Sequence, residues 1–366
     1  MNRNHILRIL ENTWLQPGQL AIGIIVLIIS FITVFTSRYN RIYNSSAIRS
    51  DSTSVIYLYH DANIRQLNIA MDSSGVAHDS TEMFWVSNML GWRKFKQGRY
   101  VVNKPYSYKT FLKKLAMGSQ DPVRVTILPG SNEKRFAERV AQHFIFSADT
   151  LQQAMNDSTF LANYGLTKKD VFGRMLPNTY RFYWNMSPKQ FLSRMFGEFN
   201  HLVVQKYQDR FFQLNKSVDQ VLTLASIVEW EAKKDSEKAI ISGLYWNRLR
   251  KGWLLQADPT IDYIIGERRR LLYKDYKIDN PYNTYENRGL PPGPITNPGM
   301  SSIKAALFPA HHDYMYMVAK PNGDGHAFSK TLAKHEEQSA KWRRWLRKQY
   351  RIKRERERQA DSAKNK

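Results

Sequence analysis

An unbroken apolar run near the N-terminus constrains this chain more than any other feature. Leu20 to Thr36 reads LAIGIIVLIISFITVFT, and no Asp, Glu, Lys or Arg stands between Glu11 and Arg38. At a rise of ~1.5 Å per residue the run spans about 26 Å as a helix, close to the ~30 Å of a hydrocarbon core. Trp14 and Tyr39 flank it where interfacial rings sit. A cleaved signal peptide needs a shorter apolar region with a small-x-small site directly behind it, whereas Phe35, Arg38, Tyr39 and Asn40 follow here. The expectation is an uncleaved transmembrane helix over 20–37, with a short N-terminal segment 1–19 before it and a linker 38–54 after it. Arg3 and Arg8 are balanced by Arg38 and Arg41, so arginine counting leaves the orientation open.

The 366 residues, 42% hydrophobic, are enough for two packed domains besides the anchor. The absence of Cys excludes disulfides and thiolate metal sites without locating the protein. His311, His312, His326 and His335 lack a metal-site spacing, so no metal or other cofactor is expected. The formal charge of +23 is concentrated at one end: from Lys341 to Lys366, twelve Lys or Arg face Glu355, Glu357 and Asp361, a net +9. That helix-compatible run reads either as a solvated basic helix or as a contact with an anionic membrane surface or a partner. No nucleic-acid fold signature accompanies it, and nucleic acid is not an expected partner.

Periodicity divides the remainder into an α+β chain. Over 55–118, strand-like VIYLYH and GRYVVNKPYS alternate with helical ANIRQLNIAMDSSG and TFLKKLAMG, a small α/β unit. A larger domain, 119–345, opens with the strand VRVTILPG closed by Pro129-Gly130, and then NEKRFAERVAQHF places Phe136, Val140 and Phe144 at helical spacing. Tyr180, Phe182, Tyr183 and Trp184 are either core or a sugar-facing wall, since aromatic rings pack on both. A basic tail occupies 346–366.

One helix has the makings of a catalytic element. Ser217 and Gln220 form a capping box, and Val221, Leu224, Ala225 and Val228 line one face of SVDQVLTLASIVEWEAKK. Glu229 lies at the edge of that face, and Glu231 lies roughly 200° further round at ~100° per residue, so the two cannot act side by side. A carboxyl against apolar surface holds its proton toward neutral pH, as a general acid requires. The alternative for Glu229 is a surface ion pair with Lys233 or Arg248. Downstream, the helix DSEKAIISGLYWNRLRKG ends at Gly252, and LLQADPTIDYIIG offers Gln256, Asp258 and Thr260 at a Pro-fixed turn. A long loop then carries Pro281, Pro291, Pro292, Pro294 and Pro298. It reads as a ligand-facing loop or as a structural cover over the core.

At these residues the chain resembles the endolytic murein transglycosylases of the YceG-like family. LASIVE at 224–229, NRL at 247–249, LQ-x-DPT at 255–260, YNTY at 282–285, GLPPGPI-x-NPG at 289–299 and GHAFSKTLAKHE at 325–336 stand in the family's order, and the likeness covers roughly Pro122 to Lys341. The resemblance implies that Glu229 is catalytic and that Asn247, Gln256, Asp258, Thr260, Tyr282, Asn283, Tyr285, His326 and Phe328 bind substrate. Where relatives carry a LysM-like subdomain this chain has 55–118, with an insertion-like segment around Met71 to Arg93. The implied activity is cleavage between N-acetylmuramic acid and N-acetylglucosamine within nascent peptidoglycan strands, leaving 1,6-anhydromuramoyl ends and limiting strand length near the synthases. A wall substrate implies a cytoplasmic N-terminus and a catalytic domain on the wall side of the inner or plasma membrane. The rival readings are a hydrolase using Glu229 and Asp258 together, and a non-catalytic wall-binding scaffold.

Overall fold

The computed structural model describes residues 17–232, 234–323 and 325–364. The segment with Arg3, Arg8 and Trp14, and also Lys233, lies outside the described residues. Helix α1 runs from Pro17 to Tyr43, longer than the apolar run. Arg38 and Arg41 end the apolar sequence but not the helix, whose last turn stacks Tyr39 on Tyr43 with ring centroids 4.4 Å apart. Its Ile, Val and Phe side chains from Ile22 to Phe35 are exposed, whereas Ile42 is buried, and Ala21–Tyr43 is the one stretch among the described residues long and apolar enough to cross a membrane.

The chain divides into two compact units, the first comprising the residues up to Pro122 together with 183–185. Its elements are β1 Ser54–Leu58, α2 Ile64–Ser73, α3 Ser80–Met89, β2 Gly98–Val102 and α4 Tyr108–Ala116. Strands β1 and β2 pair antiparallel with Ile56 opposite Tyr100. Asn63 closes a capping box with Gln66 to start α2, and the Asp79 carboxylate accepts the Thr81 and Glu82 N–H groups to start α3. The segment that reads as an insertion is therefore an integral helix: Met83 and Val86 of α3 join Leu67 and Met71 of α2 and Tyr100 of β2 in one core. Trp184 is buried, its ring centroid 4.9 Å from that of Tyr57 and 5.1 Å from that of Tyr59.

The second unit holds Val123–Phe182 and everything from Met186 onward. Strand β3 Val123–Ile127 pairs antiparallel with β4 Asn178–Phe182. Between them lie α5 Glu133–Ala141, α6 Ala148–Met155, α7 Ser158–Ala162 and α8 Lys168–Val171. Phe136, Phe144, Phe172, Tyr180 and Phe182 form the core of this layer, whereas Tyr183 is exposed. The aromatic segment thus contributes three packing side chains and one surface ring.

The chain continues through α9 Pro188–Phe199, α10 Gln208–Leu214, α11 Val218–Glu231, α12 Asp235–Arg250, α13 Asp258–Ile265 and α14 Met300–Leu307. Strands β5 Tyr316–Ala319 and β6 His326–Ser329 then pair antiparallel ahead of the final helix α15 Leu332–Lys364. The capping box of α11 is present: Gln220 N–H donates to Ser217 Oγ at 3.1 Å, and Ser217 N–H donates to Gln220 Oε1 at 3.0 Å. Every residue from Val221 to Val228 is buried, so α11 is a central helix and not one with a single apolar face. The polar positions on its second face are satisfied internally: Ser226 Oγ donates to Thr223 O at 2.7 Å and accepts Ile295 N–H at 3.0 Å.

Helix α12 passes so close to the segment after α14 that a Cβ on Gly243 would stand 2.4 Å from Ala310 O and 2.8 Å from His312 Nε2. Gly243→Ala therefore lowers stability by roughly 1–3 kcal/mol through overpacking, outweighing the ~1 kcal/mol by which Ala favours a helix interior. Urea unfolding of the two proteins measures this, and an unchanged or raised midpoint contradicts the close approach.

Candidate active site

Glu229 lies in the last turn of α11 with its side chain 11% exposed. Its Oε2 accepts the Ser302 hydroxyl at 2.6 Å and the Gly299 N–H at 2.9 Å, and Lys238 Nζ stands 3.5 Å away. Gly299 is the N-cap of α14 and Ser302 lies in its first turn, so the carboxyl faces the positive end of that helix. Lys238, itself only 8% exposed at its side chain, is held by Ser301 Oγ and Asp235 Oδ1, each at 2.9 Å. The carboxyl is thus set in a polar clamp, not against apolar surface. Its cationic neighbour is Lys238; Arg248 is turned away and donates to the Met315 and Leu255 carbonyls. All of these bonds fall on Oε2, and among the described residues none falls on Oε1. Oε2 is the anchored oxygen.

The clamp is carried by the last part of the proline-rich loop, which is interior, whereas Pro281 and Pro292 are exposed. From Gly293 to Gly299 every residue is buried. Asn297, 0% exposed, donates through Nδ2 to Leu128 O at 2.9 Å and Met175 O at 3.1 Å, and its Oδ1 accepts Ser131 N–H at 3.2 Å. Thr296 Oγ1 donates to Ser131 O at 2.6 Å. The Pro129-Gly130 turn after β3 is fastened from its other side as well, since Trp230 Nε1 donates to Gly130 O at 3.2 Å. A Cβ on Gly299 would meet Glu229 Oε2 at 3.3 Å, tighter than most packing, and Pro129 Cβ at an ordinary 3.6 Å.

Of the residues the family resemblance marks for substrate, Gln256, Asp258, Tyr282, Tyr285, His326 and Phe328 keep solvent exposure. Gln256 has φ 50°, a left-handed backbone that a non-glycine residue adopts at a cost of about 1–3 kcal/mol. Tyr285 Oη donates to Asp258 Oδ1 at 2.5 Å, and its ring lies edge-on to Tyr276 at 4.6 Å. Tyr282 packs on Tyr263 at 4.7 Å, and Phe328 stacks with Tyr314 at 5.7 Å. His326 is gripped by Glu237, which accepts its N–H at 2.7 Å and pairs with Nδ1 at 3.0 Å. Burial works against the Glu237 carboxylate, yet these His326 contacts hold it below the usual range.

Asn247, Asn283 and Thr260 are placed differently. All three are buried, with Asn247 Nδ2 donating to His312 O and Tyr314 O, Asn283 Nδ2 to Tyr276 O and Ile278 O, and Thr260 Oγ1 to Ala257 O. Their polar atoms hold loops in place. Periodicity gave no sign of Lys238, Ser301, Ser302, Asn297 or the Gly299 N–H, because each reaches the site through tertiary folding. Among the described residues no cluster of His, Asp and Glu is arranged to hold a metal ion.

Glu231 occupies a separate environment, as its angular offset predicts. Its Oε1 accepts buried Tyr245 Oη at 2.7 Å, and burial pushes the carboxyl up to about 6 although that bond works the other way. A carboxyl raised above its unfolded value stabilises the fold while protonated, and that contribution is lost as pH rises through the folded value. Between about pH 4.5 and 6, stability from this group falls by about 1–2 kcal/mol. Glu231→Gln removes that slope in urea unfolding across the same range; an equal slope in both proteins assigns it to other groups.

These features define an α+β protein with one carboxyl clamped through its Oε2 at the end of a buried helix. The chain belongs to the YceG-like family, whose model matches residues 56–341. It is similar to an endolytic murein transglycosylase of Bacillus subtilis, 34% identical over 265 residues covering 68% of this chain and 73% of that protein. An endolytic murein transglycosylase of Streptococcus pneumoniae is 26% identical over 290 residues, covering 70% of this chain and 52% of that protein. The crystal structure of a yceG-like protein from Listeria monocytogenes matches with a TM-score of 0.55 at 28% identity, covering 79% of this chain and 99% of that one.

Proposed function

We propose that this chain is a membrane-anchored lytic transglycosylase that cuts peptidoglycan glycan strands internally, with Glu229 as both acid and base. The observation that carries this reading is the one-sided clamp on Glu229. A two-carboxylate glycosidase places its second carboxyl roughly 5–9.5 Å from the first across the scissile bond. Here Glu231 is committed to Tyr245 and Asp258 to Tyr285, which favours a mechanism that one carboxyl completes alone.

In that mechanism protonated Oε1 donates to the oxygen joining N-acetylmuramic acid to N-acetylglucosamine, and the bond from the anomeric carbon to that oxygen breaks. The sugar's own C6 hydroxyl attacks the anomeric carbon, and Oε1 takes the hydroxyl proton. The carboxyl ends as it began and no water is consumed, so the product carries a 1,6-anhydro end. Lys238, Ser302 and the Gly299 N–H hold the carboxylate while it is charged. Gln256, Asp258, Tyr282, Tyr285, His326 and Phe328 supply the sugar contacts, Gln256 from a strained backbone of the kind that clusters at working sites.

Residues 55–118 are read as a LysM-like subdomain, supported by the β1–α2–α3–β2 order with antiparallel strands. Helix α1 is read as the anchor, with the N-terminus cytoplasmic, the second unit on the wall side, and peptidoglycan synthases as neighbours. A reporter fused after Lys366 and active only outside the cytoplasm supports this orientation; the reverse result overturns it.

The central test is mass analysis of products from intact glycan strands. Anhydro ends support the proposal. Reducing ends, heavier by one water, move the assignment to hydrolysis by Glu229 with Asp258, and binding without cleavage makes the protein a scaffold.

A further inference from the structure

The family match ends at residue 341, whereas α15 continues to Lys364. From Lys341 to Gln359 no residue of α15 is buried. The pattern along this stretch is nonetheless ordered. At ~100° per residue, Trp345, Ile352, Trp342, Leu346 and Tyr350 share one arc of about 160°, while Lys341, Arg343, Arg344, Arg347, Lys348, Arg351, Arg354 and Arg358 occupy the opposite side. The two tryptophan rings stack at 4.9 Å, so the apolar side is densest over Trp342–Leu346, with Gln349, Lys353, Arg356 and Glu357 falling within the same arc further along.

We propose that this half of α15 lies flat on an anionic membrane surface, its Trp–Leu–Ile ridge below the headgroups and its basic side among them. A helix with a Trp- and Leu-bearing face and a Lys/Arg-rich opposite face is the form that partitions into a lipid interface. The net +9 of residues 341–366 supplies the attraction to anionic lipid. A soluble polyanion would satisfy the arginines and offer nothing to Trp342, Trp345, Leu346 and Ile352. Self-association along the ridge would bring two strongly basic helices together, with Gln349 and Arg356 interrupting the apolar repeat. The surface extends beyond the glycan chemistry proposed above and does not depend on it.

The chain contains no cysteine, so a single introduced thiol can be labelled selectively. The test uses the full chain reconstituted in vesicles, with an environment-sensitive fluorophore at Leu346→Cys or, separately, at Arg351→Cys. Vesicle association itself is not the readout, because α1 alone can supply it. In vesicles containing phosphatidylglycerol, the probe at 346 shifts to shorter wavelength and is quenched by spin-labelled lipid, while the probe at 351 stays aqueous. In pure phosphatidylcholine neither shifts, and Gln at 343, 344, 347 and 348 abolishes the shift in phosphatidylglycerol. An aqueous probe at 346 in both lipids overturns the proposal, as does an equal shift at 346 and 351. A probe shifted only on adding soluble peptidoglycan fragments assigns the helix to the wall polymer and overturns it too.

Discussion

Glu229→Gln reduces release of anhydromuramoyl products by about 10⁴-fold, the upper end of what one positioned acid–base group contributes, because the same carboxyl acts in both halves of the reaction. Gln retains the size of Glu and a carbonyl oxygen able to accept Ser302 Oγ and the Gly299 N–H, so the clamp and the fold survive. Its amide has no dissociable proton for the leaving oxygen and cannot take one from the C6 hydroxyl. The measurement is mass-resolved product formation from intact strands, with urea unfolding in parallel to show that the variant is folded. Anhydro ends formed at the wild-type rate place the chemistry elsewhere. Lys238→Met is the companion experiment. With the cation removed, the carboxyl loses its charged neighbour while Gly299 and Ser302 remain, so turnover falls less than in Glu229→Gln.

Asn297→Ala destabilises the second unit by roughly 1–3 kcal/mol, because it removes the partner of the buried Met175 carbonyl and of two less buried groups, the Leu128 carbonyl and the Ser131 N–H. Asn297 itself is 0% exposed. The same change frees the loop that delivers Gly299 to Glu229, so activity falls even where the protein is still folded. Urea midpoints at a constant m-value give the stability term. A loss below about 1 kcal/mol would mean that the loop is held by its neighbours and not by this side chain.

What could be read without coordinates was local. The Ser217–Gln220 box, the strand closed at Pro129-Gly130, the end of α12 before Gly252 and the divergence of Glu229 from Glu231 all depend on residues within a turn or two. The misreadings have physical reasons. Four apolar positions marked one face of α11, yet Thr223 and Ser226 also lie inside, with the Ser226 hydroxyl satisfied by Thr223 O and Ile295 N–H. Lys238 sits nine positions from Glu229 and meets it only because α12 folds back on α11. Ser302 lies 73 positions away, beyond any repeat a helix or strand imposes. The apolar setting expected for Glu229 followed from its helical neighbours and missed donors arriving from α14.

The staple between the Pro129–Ser131 turn and Thr296–Asn297 joins positions more than 160 residues apart. A chain growing from its N-terminus therefore exposes Glu229 well before the groups that grip it exist. Until residues 296–302 have threaded between β3 and α11, the carboxyl is an ordinary helix-end glutamate. For the role proposed for Glu229, the topology thus makes bond cleavage depend on long-range closure of the second unit.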